Sequence, residues 1–378
     1  MSIVPKALAN GCCQPPPASD RPSPIQRNER AGERPITEEA NPAPSLSRVS
    51  LCSTIEYCPL RRCSDHDCLL AQVNDGNYNL RRTAKAEASI VRKSKHTRTT
   101  MRLINTETLE LHEFFESQAP TYAILSHTWD KDEITLQEML SMSPSTMVKA
   151  GYKKIQDTCK MAQSRGQQWV WIDTCCIDKS SSAELTESIN SMYRWYQNAH
   201  ECYAYLVDFA PGSLPQDELE KCRWFTRGFT LQELIAPKTV VFFDRDWNVV
   251  GEKGDKNILE IIARFTGISE DLLSGFRPVD DYAIAERMLW ASSRETTRPE
   301  DKAYCLLGIF EVNMPLIYGE GDNAFRRLQE EIIKRSNDLS IFAWGTPLNW
   351  EPTKKGSLTE RRYLGLFARS PADFGATW

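Results

Sequence analysis

The stretch GYKKIQDTCKMAQSRGQQWVWIDTCCIDKSSSAELTESINSMYRWYQNAHECYAYLVD (151–208) decides the fold. Its first part sets Tyr152, Ile155, Cys159 and Ala162 three and four residues apart, the spacing of one helix face. QWVWIDTCCID (168–178) is an apolar run that predicts a buried strand. SAELTESINSMYRWYQNA then opens with Ser182 in the N-cap position and lines up Leu185, Ile189, Met192, Tyr193 and Tyr196 on one stripe, a second helix. ECYAYLVD (201–208) is the next strand. Strands alternating with helices of this length predict βαβ units, hence a parallel sheet with helices on both faces.

The pattern continues outward in both directions. MRLINTETLEL (101–111) reads as a strand entering a turn, YAILSHTW (122–129) as a strand with a polar end, and ITLQEML (134–140) as a short helix. Downstream, WFTRGFTLQELIA (224–236) predicts a helix halted by Pro237, and KTVVFFD (238–244) a strand. Beyond residue 255 the strand signals stop. NILEIIARF (257–265), DYAIAERMLWASS (281–293), DKAYCLLGIF (301–310) and DNAFRRLQEEIIKR (322–335) read as helices, and SIFAW (340–344) as a late edge strand.

Composition divides the chain near residue 100. The first hundred residues hold no Phe or Trp and only Tyr57 and Tyr78, yet ten of the 21 prolines. Such a segment cannot offset its ordering entropy and predicts a disordered extension over 1–100. Cys52, Cys58, Cys63, His66 and Cys68 fall within it, but their spacing lacks the paired CxxC hooks of common zinc sites. RKSKHTR (92–98) reads as a solvated linker or a weak nuclear-import signal. The charge is 15 basic against 10 acidic residues before Met101 and 31 against 41 after it. An acidic body argues against nucleic-acid binding. No run approaches the roughly 18 apolar residues of a membrane span, so no membrane partner is expected. With no secretory signal at the N-terminus, the 12 cysteines are read as reduced thiols and the protein as cytoplasmic, with a nuclear location also open.

In an open parallel sheet, ligands bind outside the carboxyl ends of the strands. Those ends carry Ser126, His127, Trp129 and Asp130, then Asp173, Cys175 and Asp178, then Asp208, and the following helix carries Arg227, Gln232 and Glu233. Cations, carboxylates and aromatic faces together suit a nucleotide-like ligand. The alternative is that His127 and Asp173 merely cap strand ends. Glu233 shares its helix with Trp224, Phe225, Phe229 and Leu234, so a partly desolvated carboxyl with a raised pKa is expected. A salt bridge to Arg227 is its structural alternative, although six residues is not a helix-face spacing. Cys175 with His127 forms a second candidate, a thiol and its base, against the commoner role of buried Cys as packing. No GxxxxGK[ST], GxGxxG after a strand, or HExxH is present, so P-loop, dinucleotide-fold and zincin chemistries are unsupported, and no metal or cofactor is expected.

The blocks YAILSHTW, 151–179, RWFTRGFTLQELIAPKTVVFFD (223–244), RETTRPEDKAYCLLGIF (294–310) and PLIYGEGDNAFRRLQEEI (315–332) closely resemble the HET (heterokaryon incompatibility) domain of filamentous fungi, from Met101 to about Gly345. The resemblance implies an effector that triggers programmed cell death after non-self recognition, acting through self-association or a sensor partner of the NLR type. It assigns 101–345 to the domain and 346–378, including LGLFARSPADF (364–374), to the start of a truncated C-terminal region. It also leaves open whether 1–100 belongs to the native protein. HET domains are in turn similar to TIR domains, over about 120–245 here, with 255–335 as a helical remainder. That implies a TIR/flavodoxin-like α/β fold with a mostly parallel sheet. The TIR W-x-x-x-E pattern falls on Phe229 to Glu233, with Phe in place of Trp, and implies that Glu233 is catalytic in cleaving NAD as substrate. A non-enzymatic death-signalling module acting by assembly is the alternative.

Overall fold

The computed structural model describes residues 99–345 and 365–375. The expectations for the N-terminal extension, its cysteine cluster and RKSKHTR therefore fall outside the described residues, apart from residue 99 onward.

Seven strands form one sheet in the order β2-β1-β4-β3-β5-β6-β7. β1 (Thr100–Asn105) and β2 (Leu111–Phe115) make an antiparallel hairpin. The Asn105 side chain closes its turn by accepting from the amides of Glu107 and Thr108 at 3.0 and 3.1 Å. The central block is parallel: β4 (Trp169–Trp171), β3 (Ala123–His127), β5 (Glu201–Tyr205) and β6 (Val240–Phe243). β7 (Val249–Glu252) returns antiparallel on β6, and β1 is antiparallel to β4.

The sheet is thus mixed, which corrects the mostly parallel expectation. Short turns account for two of the antiparallel pairings, β1 with β2 and β6 with β7, while β1 meets β4 antiparallel across a long connection. A connection of a few residues reverses the chain and can only make an antiparallel neighbour. At the β6–β7 turn Asp244 accepts from the amides of Asp246 and Asn248, both at 2.9 Å, and Trp247 takes a left-handed φ of 64°.

Crossovers fill the faces. α1 (Leu136–Ser141) and α2 (Ala150–Ser164) join β3 to β4, and α3 (Ser182–Asn198) joins β4 to β5. α1 starts with a Thr135–Glu138 capping box. α2 buries Tyr152, Ile155, Cys159 and Ala162, the face its spacing predicts. α3 is capped by Ser181, one residue before the expected Ser182, and buries Ile189, Met192 and Tyr196. Between β5 and β6 the expected single helix is broken. A 3-10 turn (Arg223–Thr226) is followed by a six-residue helix, α4 (Thr230–Ile235), because the intervening Arg227 and Gly228 pair with Glu295 instead of continuing the helix.

Other boundaries also move. β4 ends at Trp171, and Asp173–Cys176 folds into a helical turn, not the end of a long strand. The C-terminal part carries α5 (Lys256–Thr266), α6 (Ile284–Leu289) and α7 (Asn323–Ile333). DKAYCLLGIF is helical only over Asp301–Tyr304, and SIFAW forms a 3-10 turn (Leu339–Phe342) capped by Asp338, not an edge strand.

Two sequence blocks of this part lock together. The Glu300 carboxylate accepts from the amides of Gly319 and Gly321 at 2.8 and 3.0 Å, while the Tyr318 hydroxyl donates to Asp301 at 3.0 Å. Glu300→Ala leaves both amides without their acceptor, a cost of about 2 kcal/mol. The expected result is a melting temperature lower by roughly 5 °C. A thermal melt of the variant that overlays the parent would show that the tie contributes nothing. Gln329 of α7 bonds the backbone of Ala368 in both directions, at 2.9 and 3.0 Å, and Phe374 is buried.

Candidate functional site

β3 and β5 end level with one another, His127 opposite Tyr205 in parallel register. The chain leaves β3 toward β4 on one side and later returns to β5 on the other, so the strand order reverses between their carboxyl ends, the place where open α/β sheets bind ligands. Glu233 lies at this switch point, brought there by α4 and bonded to Ser126 of β3. Its carboxylate accepts from the Ser126 hydroxyl, which itself accepts from the Trp224 indole N–H at 2.8 Å. The Tyr196 hydroxyl stands beside the same carboxylate and donates to the Leu125 carbonyl at 3.0 Å. Glu233 is only 7% exposed. Burial pushes its carboxyl up to about 8; the Ser126 hydrogen bond opposes this, the Asp173 charge adds to it, and Tyr196 and Arg294 oppose it.

α4 is too short to persist by itself and is held from outside. At its C-terminal end the buried Lys253 ammonium donates to the carbonyls of Leu234 and Pro237 at 3.1 and 2.6 Å. Burial pulls that ammonium down to about 8. At the N-terminal end Thr230 donates to the carbonyls of Trp224 and Arg227, and Arg294 donates to the Thr230 hydroxyl.

A second cluster lies at the same strand ends. The His127 imidazole is buried, with Nε2 3.6 Å from Glu133 and Nδ1 3.9 Å from Asp173, and neither nitrogen makes a hydrogen bond to any described residue. Burial alone would raise the Glu133 carboxyl, but His127 and Lys154 outweigh it and hold it at about 2. Asp173 accepts from the Trp129 indole N–H at 2.8 Å, and Lys179 stands 3.5 Å over the same ring. Trp129 is 53% exposed, so this edge presents an aromatic ring to solvent, while burial lowers the pKa of the Lys179 ammonium packed on it. Arg223 adds a guanidinium bonded to Thr128 at 3.0 Å and Asp130 at 3.2 Å, and Asp208 accepts from its amide at 2.7 Å.

The fold therefore gathers Ser126 with Glu233, and His127, Trp129 and Asp173 beside them. It does not gather the rest. Asp178 is held at an exposed turn by Gln137 and Ser180. Arg227 points to Thr297 at 3.0 Å, so the cation acting on Glu233 is Arg294 and not Arg227. Phe229 immediately precedes α4 and packs on the core, and Gln232 is buried against the Met192 sulfur at 3.4 Å. Cys175 is fully buried; the neighbouring Cys176 thiol and burial push its thiol far up, which removes the thiolate a nucleophile needs. Trp224, Tyr196, Glu133, Lys179, Arg223 and Arg294 belong to the arrangement although the sequence reading did not select them. Glu133 and Lys179 were within reach of it, as charges a few residues from the strand ends. Among the described residues, no cluster of His, Cys, Asp and Glu suits a metal ion, and no helix is long and apolar enough to cross a membrane.

Fold and site define an α/β domain with a buried carboxylate under the carboxyl ends of its parallel strands. Residues 122–215 match the family model described as heterokaryon incompatibility protein (HET). Residues 323–374 match a domain of unknown function, DUF8212. The chain is 47% identical over 230 residues to the vegetative incompatibility protein HET-E-1 of Podospora anserina. That alignment covers 58% of this chain and 17% of the relative, so the chain spans a small part of that protein's length. No solved structure matches the chain.

Proposed function

We propose that this domain acts in heterokaryon incompatibility as a death effector, and that it cleaves the bond between nicotinamide and ribose in NAD with Glu233 as the working carboxylate. The observation that carries this reading is the Glu233 carboxylate held under the ends of β3 and β5 on the helix that follows the third parallel strand. The order β4-β3-β5-β6 of the parallel block agrees with the 2-1-3-4 part of the flavodoxin-like order, and this supports the reading, since such sheets bind ligands where the order reverses. The exposed Trp129 with Lys179 and Arg223 at its rim suits a base and a pyrophosphate.

In the step proposed, the bond from ribose C1′ to the pyridinium nitrogen breaks and its electron pair leaves with nicotinamide. The ionised Glu233 stabilises the positive charge that develops on the sugar. Water then adds to C1′ and releases a proton to solvent. Because Glu233 is nearly covered and keeps its proton up to about pH 8, the catalytic form requires Ser126 and Trp224 to draw aside so that the carboxyl is solvated and ionises. That covering also favours a second reading, in which assembly alone transmits the death signal.

The test is to cluster the full chain on a scaffold, incubate it with NAD and follow nicotinamide release. Turnover in the parent and a loss of about 10²-fold or more in Glu233→Ala is expected. A chain that kills cells on expression but releases no nicotinamide in any assembled state overturns the enzymatic reading in favour of assembly.

A further inference from the structure

His127 closes β3 and stands at the foot of the loop that carries Trp129. Its ring is 1% exposed and lies between two carboxylates, Nε2 3.6 Å from Glu133 Oε2 and Nδ1 3.9 Å from Asp173 Oδ1, and neither nitrogen makes a hydrogen bond among the described residues. On each carboxylate the other oxygen is already committed. Glu133 Oε1 accepts from the Lys154 ammonium and, at 2.9 Å, from the Asp130 amide. Asp173 Oδ2 accepts from the Trp129 indole N–H at 2.8 Å and lies 4.0 Å from the Lys179 ammonium. One oxygen of each carboxylate is thus left facing an imidazole nitrogen, and buried polar groups in such a setting are ordinarily paired.

An ionised carboxylate only accepts, whereas a neutral imidazole has one donor nitrogen and one lone-pair nitrogen. Neutral His127 would therefore set a lone pair against one of the two carboxylates; with both nitrogens protonated it donates to each. Against burial, His127 and Lys154 hold the Glu133 carboxyl down at about 2, so it is ionised. We propose that His127 is a positioning residue which, as an imidazolium, holds Asp173 and through it the Trp129 ring at the rim of the site. The same cation ties Glu133, which brings the loop back to its own start six residues on. One ring thereby fixes both the loop and the aromatic face that the loop presents. The charged groups about the imidazole are Glu133 from the loop after β3, Lys154 from α2, Asp173 from the turn after β4 and Lys179 beyond that turn. Loss of the second proton leaves one donor for two anions. Asp173 is then drawn toward Lys179, and Trp129 loses its fixed acceptor. This holds for any ligand of the rim and does not rest on NAD as substrate.

The test is an NMR pH titration of the full 378-residue chain with 15N-labelled histidine and tryptophan, the His127 ring nitrogens and the Trp129 indole N–H being identified by their loss in His127→Gln and Trp129→Phe. The Trp129 resonance is expected to stay fixed while both ring nitrogens carry a proton and to shift in the same step in which one is lost. His127→Gln, whose single amide reaches one carboxylate but not both, should show the shifted resonance at every pH. Asp173→Asn serves if that variant does not fold: it keeps an acceptor for the indole without the charge that the imidazolium holds, so its Trp129 resonance must no longer follow the proton on the ring. A His127 ring with a bare nitrogen beside an unshifted Trp129, or an unshifted Trp129 in the folded His127→Gln protein, overturns the proposal and leaves the imidazole as packing. None of these signals needs turnover. A chain that shows the coupled step but releases no nicotinamide removes the NAD reading alone, and turnover with an unmoved Trp129 removes only the role given to His127.

Discussion

A chain carrying Glu233→Gln is expected to melt higher than the parent at about pH 8 and to show no such advantage at about pH 5, while releasing no nicotinamide from NAD. The direction follows from linkage. Burial raises the folded-state pKa of Glu233 from 4.5 to about 8, so between those values the native protein holds a proton that the unfolded chain has released. The native state then binds more protons, and stability falls as pH rises through that window. Each unit of difference corresponds to about 1.4 kcal/mol, so even part of the shift is visible in a melt. Glutamine keeps the neutral shape and can still accept from Ser126, and it removes the pH-dependent cost. A gain of about 3 °C or more at the upper pH, shrinking steadily toward the lower, is the expected curve. Parallel melting curves for the two proteins would mean that Glu233 is already ionised and solvated in the folded state. A residue whose removal improves the fold and abolishes the reaction is one retained for chemistry.

Gly308→Ala is expected to have the largest effect on stability. A Cβ at Gly308 would lie 2.0 Å from the Cβ of Tyr193 and 2.4 Å from its Cγ, far inside contact distance. The obstructing atom is attached to the α3 backbone, so no rotation of the ring relieves it, and either α3 or the 305–310 segment must shift. Overpacking of this kind costs about 3 kcal/mol or more. Insoluble expression, or a melting temperature lower by about 10 °C, is the expected outcome. Tyr193→Ala should fail to rescue it, since alanine retains the Cβ. A Gly308→Ala protein that melts with the parent would show that the two segments stand further apart in solution.

The sequence made the alternation of β3, α2, β4, α3, β5 and β6 legible because each element buries one continuous apolar face, and a face of fixed period leaves a trace in composition. β7 left none. VVGE (249–252) is four residues long at a sheet edge, with Val249 exposed, too short for any period to register. The break in 224–236 was hidden for a different reason: Arg227 and Gly228 leave the helix to pair with Glu295, which nothing local reveals. The site divided in the same way. Ser126, His127 and Asp173 sit at strand ends or just beyond a strand-like run, and Glu233 is the one carboxylate of a mostly apolar helical run, so in each the polarity is conspicuous. Trp224 and Tyr196 looked like ordinary core residues because their rings are core, and only their N–H and O–H groups serve the carboxylate. Arg294 reaches the site through folding alone, so no spacing in the chain could point to it.

α4 gives the domain a further property. Its six residues depend on an ammonium at one end and a guanidinium at the other, both supplied by later parts of the chain, whereas β3 and β5 are secured by ladders on both sides. All six of its residues are nevertheless buried, so α4 opens only with the core around it, and a failing copy loses the seat of its carboxylate together with the fold.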